Sequence, residues 1–233
     1  MISFIIPCYN EEEHIKDCIR SIRANVWYVP YEIIVVDNNC TDKTGEIAEL
    51  ELAKVIKEPR KGVVYARQAG YEAATGRLIA NIDADSQITD GWVWEALSCL
   101  SNENVVAVSG PLEYDGASLG LRIMTKLYYL IAKLSNDYIG VFLQGGNAMI
   151  KKSALDKVGG YDLSIAFYGE DTMTAKRIHH LGKIVFNMYM VTTTSPRRLE
   201  EQGVLKTTWL YLTNYFSVTF KNKSTTNDYK DYR

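Results

Sequence analysis

Short apolar runs alternate with amphipathic stretches through the first half of the chain, and that alternation sets the expected architecture. Residues 2–6 (ISFII) form a first strand, stopped at Pro7. From Asn10 the period changes: Ile15, Cys18, Ile19 and Ile22 recur at helical spacing, with Asn10 as the expected cap and Glu13 in capping-box position. A second strand, 32–37 (EIIVVD), is continuous enough to be buried on both faces. A short helix at 45–51, a strand at 53–58 and a helix from Val63 closed by Gly76 follow. A fourth strand at 77–83, a helix at 91–100 and a fifth strand at 105–110 complete this half. Strands separated by helices predict a largely parallel, doubly wound α/β sheet.

The second half is less regular. Residues 119–134 predict an amphipathic helix with Leu121, Met124, Leu127, Tyr128 and Ile131 on one face. Residues 144–150 read as a glycine-led strand and 152–162 as a short helix ending at two glycines. The next helix carries Glu170 and Asp171 in its first turn and ends at Gly182, ahead of a strand over 183–194. An uncharged, aromatic-rich helix is expected over 207–220, and a polar tail that frays over 222–233. The expected division is 1–110 for one half, 111–202 for a second and 203–233 for a C-terminal helix and tail.

Composition narrows the function classes. With 233 residues, 47% of them hydrophobic, the chain can bury one large α/β domain or two fused halves. A net charge of −2 without a polybasic face argues against nucleic acid as a partner. Cys8, Cys18, Cys40 and Cys99 show no CxxC spacing, so reduced thiols in a cytosolic protein are expected, with Cys18 in the core. No apolar run reaches the roughly 18–20 residues of a membrane span, and no signal peptide is recognisable at Met1. The expectation is a cytoplasmic protein, soluble or peripheral on the cytoplasmic face of a membrane.

Acids collect where strands end. Glu11 follows the first strand, Asp37 the second, and Asp83 and Asp85 the fourth. Ligands of doubly wound sheets sit beyond the carboxyl ends of the strands. Asp83 and Asp85, separated only by Ala84, repel each other if they turn toward one site, and a divalent cation removes that conflict. Oxygen ligands at this spacing suit Mg²⁺ or Mn²⁺ with positions left for phosphate oxygens. A bare DxD is also common as a solvated turn.

Five segments decide between those readings. FIIPCYNEE (4–12), IIVVDNNCTDKT (33–44), KGVVYARQAGYEAATGRLIANIDAD (61–85), GGNAMIKKSALDKVGGYD (145–162) and YGEDTMTAKRIHHLGKI (168–184) occur in an order that resembles glycosyltransferase family 2. The resemblance implies a GT-A fold and an inverting transfer from a nucleoside-diphosphate sugar, UDP-linked, to a hydroxyl acceptor. It places Pro7, Tyr9 and Glu11 at the base and ribose, Asp37 on the base, and Lys61 and Arg67 on the donor. It implies that Asp85 ligates the metal, that Asp83 contacts ribose or a metal-bound water, and that Ala84 lies against the donor. Glu170 and Asp171 resemble the family's acidic pair, whose aspartate is the general base. Gly145, Gly146 and Asn147 would let sugar or acceptor approach the backbone. Arg197 and Arg198 read either as diphosphate contacts or as a solvated pair.

Other readings have discriminating features. A nucleotidyltransferase would carry a glycine-rich loop, and a dinucleotide oxidoreductase GxGxxG, where PCYNEEE stands. PRRLEEQG replaces the Q-x-x-R-W signature of processive family members. A non-catalytic nucleotide-sugar sensor remains the rival from another class. His179 and His180 read as helix-end or surface residues. The helix at 119–134 and the segment 207–220 read as core, as a homodimer face, or as a surface resting on a bilayer that holds a lipid- or glycan-linked acceptor.

Overall fold

The computed structural model describes residues 1–165 and 168–226. The chain alternates β1 (Ile2–Cys8), α1 (Ile15–Asn25), β2 (Tyr31–Asp37), α2 (Thr44–Leu50), β3 (Lys54–Lys57), α3 (Val63–Ala73) and β4 (Leu78–Ile82). It continues through β5 (Ser86–Ile88), α4 (Trp92–Leu100), β6 (Val105–Ser109), β7 (Leu112–Tyr114), α5 (Leu119–Ile139), β8 (Asn147–Lys151) and α6 (Lys152–Val158). The last elements are α7 (Glu170–Ile178), β9 (Lys183–Phe186), β10 (Thr192–Thr194), α8 (Arg197–Gln202) and α9 (Val204–Lys221).

Among the described residues, seven strands form one sheet in the order β3-β2-β1-β4-β8-β6-β9. β3, β2, β1 and β4 run parallel, as expected, whereas β8 is antiparallel to both β4 and β6. The division expected at residue 110 therefore falls inside a continuous sheet, which residues 147–151 enter between β4 and β6. A second sheet, β5-β10-β7, stands beside it. Its strands have three residues each, too short to register as a period in the sequence.

Period-two alternation explains the two cores. Ile2, Phe4, Ile6 and Cys8 face α1 and α4, with Cys18, Ile19 and Trp92, while Ile5 faces α3 and packs with Val64 and Ala66. Pro7 does not stop the strand. Its missing N–H costs nothing because pairing with β4 ends at Ile5, and at Pro7 only β2 is adjacent.

Three local expectations change. Asn10 does not cap α1: its φ is 52°, its Oδ1 accepts from Thr41 N at 2.8 Å, and the helix starts only at Ile15. Gly76 is not the cap of α3, which ends at Ala73. A Cβ at Gly76 would lie 2.8 Å from Ser3 N and 2.9 Å from Met1 O, so the glycine serves close packing against β1. The strand expected over 183–194 is two strands, one in each sheet.

In α5 the buried side is Tyr129, Ala132 and Asn136, with Asn136 Nδ2 donating to Ile184 O at 2.8 Å. Leu127 and Ile131, two members of the apolar stripe read from the sequence, are exposed. The four cysteines are free thiols, and Cys18 is fully buried. Residues 227–233 of the tail lie outside the described residues; Ser224 and Thr225, just before them, bond to Asn214 Oδ1.

Candidate active site

A cavity of about 370 Å³ opens beyond the carboxyl ends of β1 and β4. Its lining joins residues from both halves of the chain: Glu11, Asp83 and Asp85 on one side, Glu170, Asp171 and Tyr211 on another. Pro7, Tyr9, Lys61, Arg67, Ala84, Gly146, Arg197 and Arg198 line it too. Asp37 is not among the lining residues; its Oδ1 accepts from Cys40 N at 2.8 Å, which makes it a turn cap. The neighbouring Asn38 lines the cavity instead, buried, with Nδ2 donating to Glu58 O and Arg60 O and Oδ1 accepting from Gly62 N. Asn38 thereby fixes the loop that carries Lys61, whose ammonium lies 4.1 Å from the centre of the Tyr9 ring.

Two cationic groups organise the acids. Arg197 Nη2, at the start of α8, donates to Glu11 Oε2 at 2.8 Å and to Asp85 Oδ2 at 3.3 Å. Arg67, on the inner face of α3 and 4% exposed, donates from Nη1 to Glu170 Oε1 and from Nη2 to Asp83 Oδ1 at 3.2 Å. Burial opposes the Arg67 charge, but Glu170 and Asp83 outweigh it and hold the guanidinium protonated. Asp83 and Asp85 thus diverge: the first faces Arg67, the second Arg197 and the Thr194 hydroxyl at 3.4 Å. Arg198 takes a different partner, donating to Tyr211 Oη at 2.8 Å.

The glycine pair packs closely against the protein's own side chains as well as lining the cavity. A Cβ at Gly146 would sit 2.0 Å from Asp83 Oδ2, and one at Gly145 2.7 Å from Arg67 Nη1. What approaches this backbone is the protein's own ion pair. Asn147 is fully buried, accepting from Trp92 Nε1 at 2.6 Å and donating to Pro111 O and Met190 O, so it is a crosslink behind the site. Gly146→Ala is expected to displace the Asp83 carboxylate and weaken its pairing with Arg67, lowering stability by about 1–3 kcal/mol in urea denaturation; an unchanged midpoint would show that the close approach is dispensable.

Asp171 differs from its neighbour. Glu170 is committed to Arg67, whereas Asp171 Oδ1 accepts from Thr172 N at 2.7 Å and Oδ2 from Gly145 N at 3.4 Å. Burial, then the adjacent Glu170 charge, push the Asp171 carboxyl up to about 7. Asp83, whose side chain is half-buried beside the cavity, is raised too, its partial desolvation outweighing the offset from Arg67. A carboxyl with that affinity for a proton, on the rim of a cavity, is suited to general-base chemistry near neutrality.

A divalent cation fits the Glu11–Asp85 edge, because these two carboxylates already share one positive group, the Arg197 guanidinium. Among the described residues no three His, Cys, Asp or Glu side chains form a ready-made metal cage. Sequence reasoning missed the tyrosines that close the other side: Tyr114, Tyr128, Tyr168 and Tyr211 all line the cavity. They lie on four elements or loops far apart in the chain, so no local pattern announces them.

The chain is similar to known glycosyltransferases in sequence and in fold. The glycosyltransferase AglE of Haloferax volcanii is 32% identical over 120 residues, covering 48% of this chain and 40% of AglE. A poly-beta-1,6-N-acetyl-D-glucosamine synthase of Staphylococcus epidermidis is 28% identical over 190 residues, 76% of this chain and 45% of that protein. The chain thus spans less than half the length of these relatives. Among solved structures, the mannosyltransferase PcManGT from Pyrobaculum calidifontis, in complex with GDP-Man and Mn²⁺, superposes with a TM-score of 0.74 at 21% identity, covering 95% of this chain and 63% of that one. Glucosyl-3-phosphoglycerate synthase from Mycobacterium tuberculosis, with Mn²⁺, UDP and phosphoglyceric acid, superposes at 0.69 and 22% identity, covering 94% and 78%. These similarities agree with the GT-A fold expected from the sequence. The model of "Glycosyl transferase family 2" matches residues 3–159, about two thirds of the 233 residues, and the chain belongs to that family.

Proposed function

We propose that the chain transfers a sugar from a nucleoside diphosphate, UDP in the first instance, to a hydroxyl acceptor in one step that inverts the anomeric carbon. One observation carries the reading: a single cavity unites an acidic edge that shares a cation with a carboxyl whose proton affinity lies near neutrality. Pro7, Tyr9 and Glu11 face the base and ribose. Lys61 and Arg67 lie toward the donor phosphates and sugar, with Arg67 also fixing Asp83 and Glu170. Asp85 would hold Mn²⁺ or Mg²⁺ directly, with Asp83 at ribose or a metal-bound water. When bound, that ion stabilises the charge of the departing diphosphate. Arg197, released from Glu11 and Asp85, is placed to contact the same phosphates, and Arg198 stands beside it. Asp171 takes the acceptor proton as the acceptor oxygen bonds to the anomeric carbon and the donor carbon–oxygen bond breaks. No covalent sugar–enzyme intermediate is needed.

The base must be ionised to work, so turnover is expected to climb as pH rises through about 7 and to level off above it. A pH profile of kcat checks this; a flat profile from pH 5 to 9 contradicts the assignment of the base. Identity of the donor is tested by nucleotide release from a panel of UDP- and GDP-sugars with and without Mn²⁺. Metal-dependent release from at least one donor is expected. Tight binding of a donor without release in the presence of sugar-alcohol, lipid and glycan acceptors would favour the sensor reading.

A further inference from the structure

Two helices beside the cavity carry apolar side chains that nothing among the described residues covers. On α5, Leu119, Ile123, Leu127, Leu130, Ile131 and Leu134 are each 48% to 75% exposed, opposite the buried Tyr129, Ala132 and Asn136. On α9, Trp209 and Phe220 are 71% and 70% exposed, and Phe216 half so. The helices touch through Ser135 Oγ and Tyr215 Oη, 3.3 Å apart. Both also border the cavity, α5 through Leu121, Met124 and Tyr128 and α9 through Val204, Thr208 and Tyr211.

Charge identifies what fits this surface. Arg122, Lys126 and Lys133 recur four and seven residues apart, which puts them on one stripe beside the apolar face of α5. Lys206 and Lys221 stand near the two ends of α9. Five basic residues against Asp137 alone give the two helices a charge of +4, in a chain whose net charge is −2. An apolar face flanked by Lys and Arg is the pattern of helices that lie in an anionic lipid interface, with the long basic side chains reaching the headgroups. A second copy of the chain would bring +4 against +4. No helix among the described residues is long and apolar enough to cross a membrane, so attachment by these helices is interfacial.

We propose that the exposed faces of α5 and α9 seat together on an anionic lipid surface, with the mouth of the cavity turned toward it. A hydroxyl acceptor carried on a lipid would then meet Asp171 from the bilayer side. That consequence rests on the transferase reading; the docking does not.

Co-sedimentation with vesicles of phosphatidylcholine mixed with phosphatidylglycerol tests the docking without any turnover. The wild-type chain is expected in the pellet, and vesicles of phosphatidylcholine alone should hold it at least tenfold more weakly. Lys126→Glu should weaken the partition by about fivefold or more, and Leu127→Glu with Ile131→Glu by more than tenfold. None of these residues lines the cavity, so circular dichroism and UDP–Mn²⁺ affinity should not change. Brominated acyl chains should quench tryptophan fluorescence, and Trp209→Phe should remove most of that quenching. A wild-type chain left in the supernatant overturns the proposal. So does vesicle binding untouched by these substitutions, or a dimer by light scattering that Leu127→Glu disperses while vesicles take up nothing. Loss of UDP affinity in the wild type would sink the transferase reading and leave the vesicle result standing.

Discussion

Asp171→Asn will lower turnover by about 10²–10⁴-fold while leaving donor affinity within a factor of two or so, the loss characteristic of a missing general base. The expectation follows from how the two acids of α7 are divided. Glu170 is held in an ion pair by Arg67, whereas the Asp171 carboxylate accepts from two backbone N–H groups and the Thr172 hydroxyl and opens on the cavity. Asparagine keeps the shape and the bond from Thr172 N, so a structural role alone would leave turnover nearly intact. The same substitution has a second, independent signature in stability. Between the usual carboxyl value, about 4, and the raised value of about 7 in the fold, the folded state holds a proton that the unfolded chain has released. The contribution of Asp171 to stability is therefore full below that window and is lost as pH rises through about 7. Asp171→Asn, which cannot ionise, should melt higher than the wild type at pH 8, and the gap should close as pH falls toward 4. Thermal denaturation across that range checks it; a gap that widens toward low pH would reverse the sign and reject the burial argument.

Arg67→Met is expected to be the most destabilising change in the site. Arg67 is 4% exposed and lies against Glu170, whose side chain is 11% exposed, and Asp83, whose side chain is 41% exposed toward the cavity. Removing one partner of a buried pair leaves an uncompensated charge at a cost of about 3–5 kcal/mol. The lower end, about 3 kcal/mol, applies because Asp83 retains access to water. Urea denaturation should show it as a drop in midpoint at constant m-value. Donor binding should fail as well, since the same guanidinium orients the Asp83 carboxylate that Gly146 leaves room for. Arg67→Lys, which keeps the charge without the fork, should recover part of the stability and little of the affinity. A stable variant with normal UDP affinity would remove Arg67 from the account.

The parallel half of the fold was legible because its strands are continuous apolar runs divided by helices, and a doubly wound sheet brings every strand end to one rim. Glu11, Asp83 and Asp85 are on that rim for this reason. Asp37 shows why position alone does not assign a role: an acid after a strand has two uses, and here its Oδ1 closes the turn at Cys40 while the side chain lies outside the cavity lining. Other parts had no local signal. Arg197 meets Glu11 across 186 positions, and the pairing depends on the short sheet that returns β10 beside β5. The purpose of Gly145 and Gly146 is visible only once Arg67 and Asp83 stand over them. In α5, apolar residues occupy both the buried and the exposed side, so periodicity alone could not say which side faces inward.

Uptake of Mn²⁺ together with UDP, followed by titration calorimetry on the wild type and on Asp85→Ala, addresses the acidic edge directly. The wild type should bind the ion and the nucleotide cooperatively, each tightening the other, and Asp85→Ala should lose that coupling while still melting cooperatively. Equal, uncoupled affinities for Mn²⁺ and UDP in both proteins would mean that Asp85 holds no ion against the diphosphate.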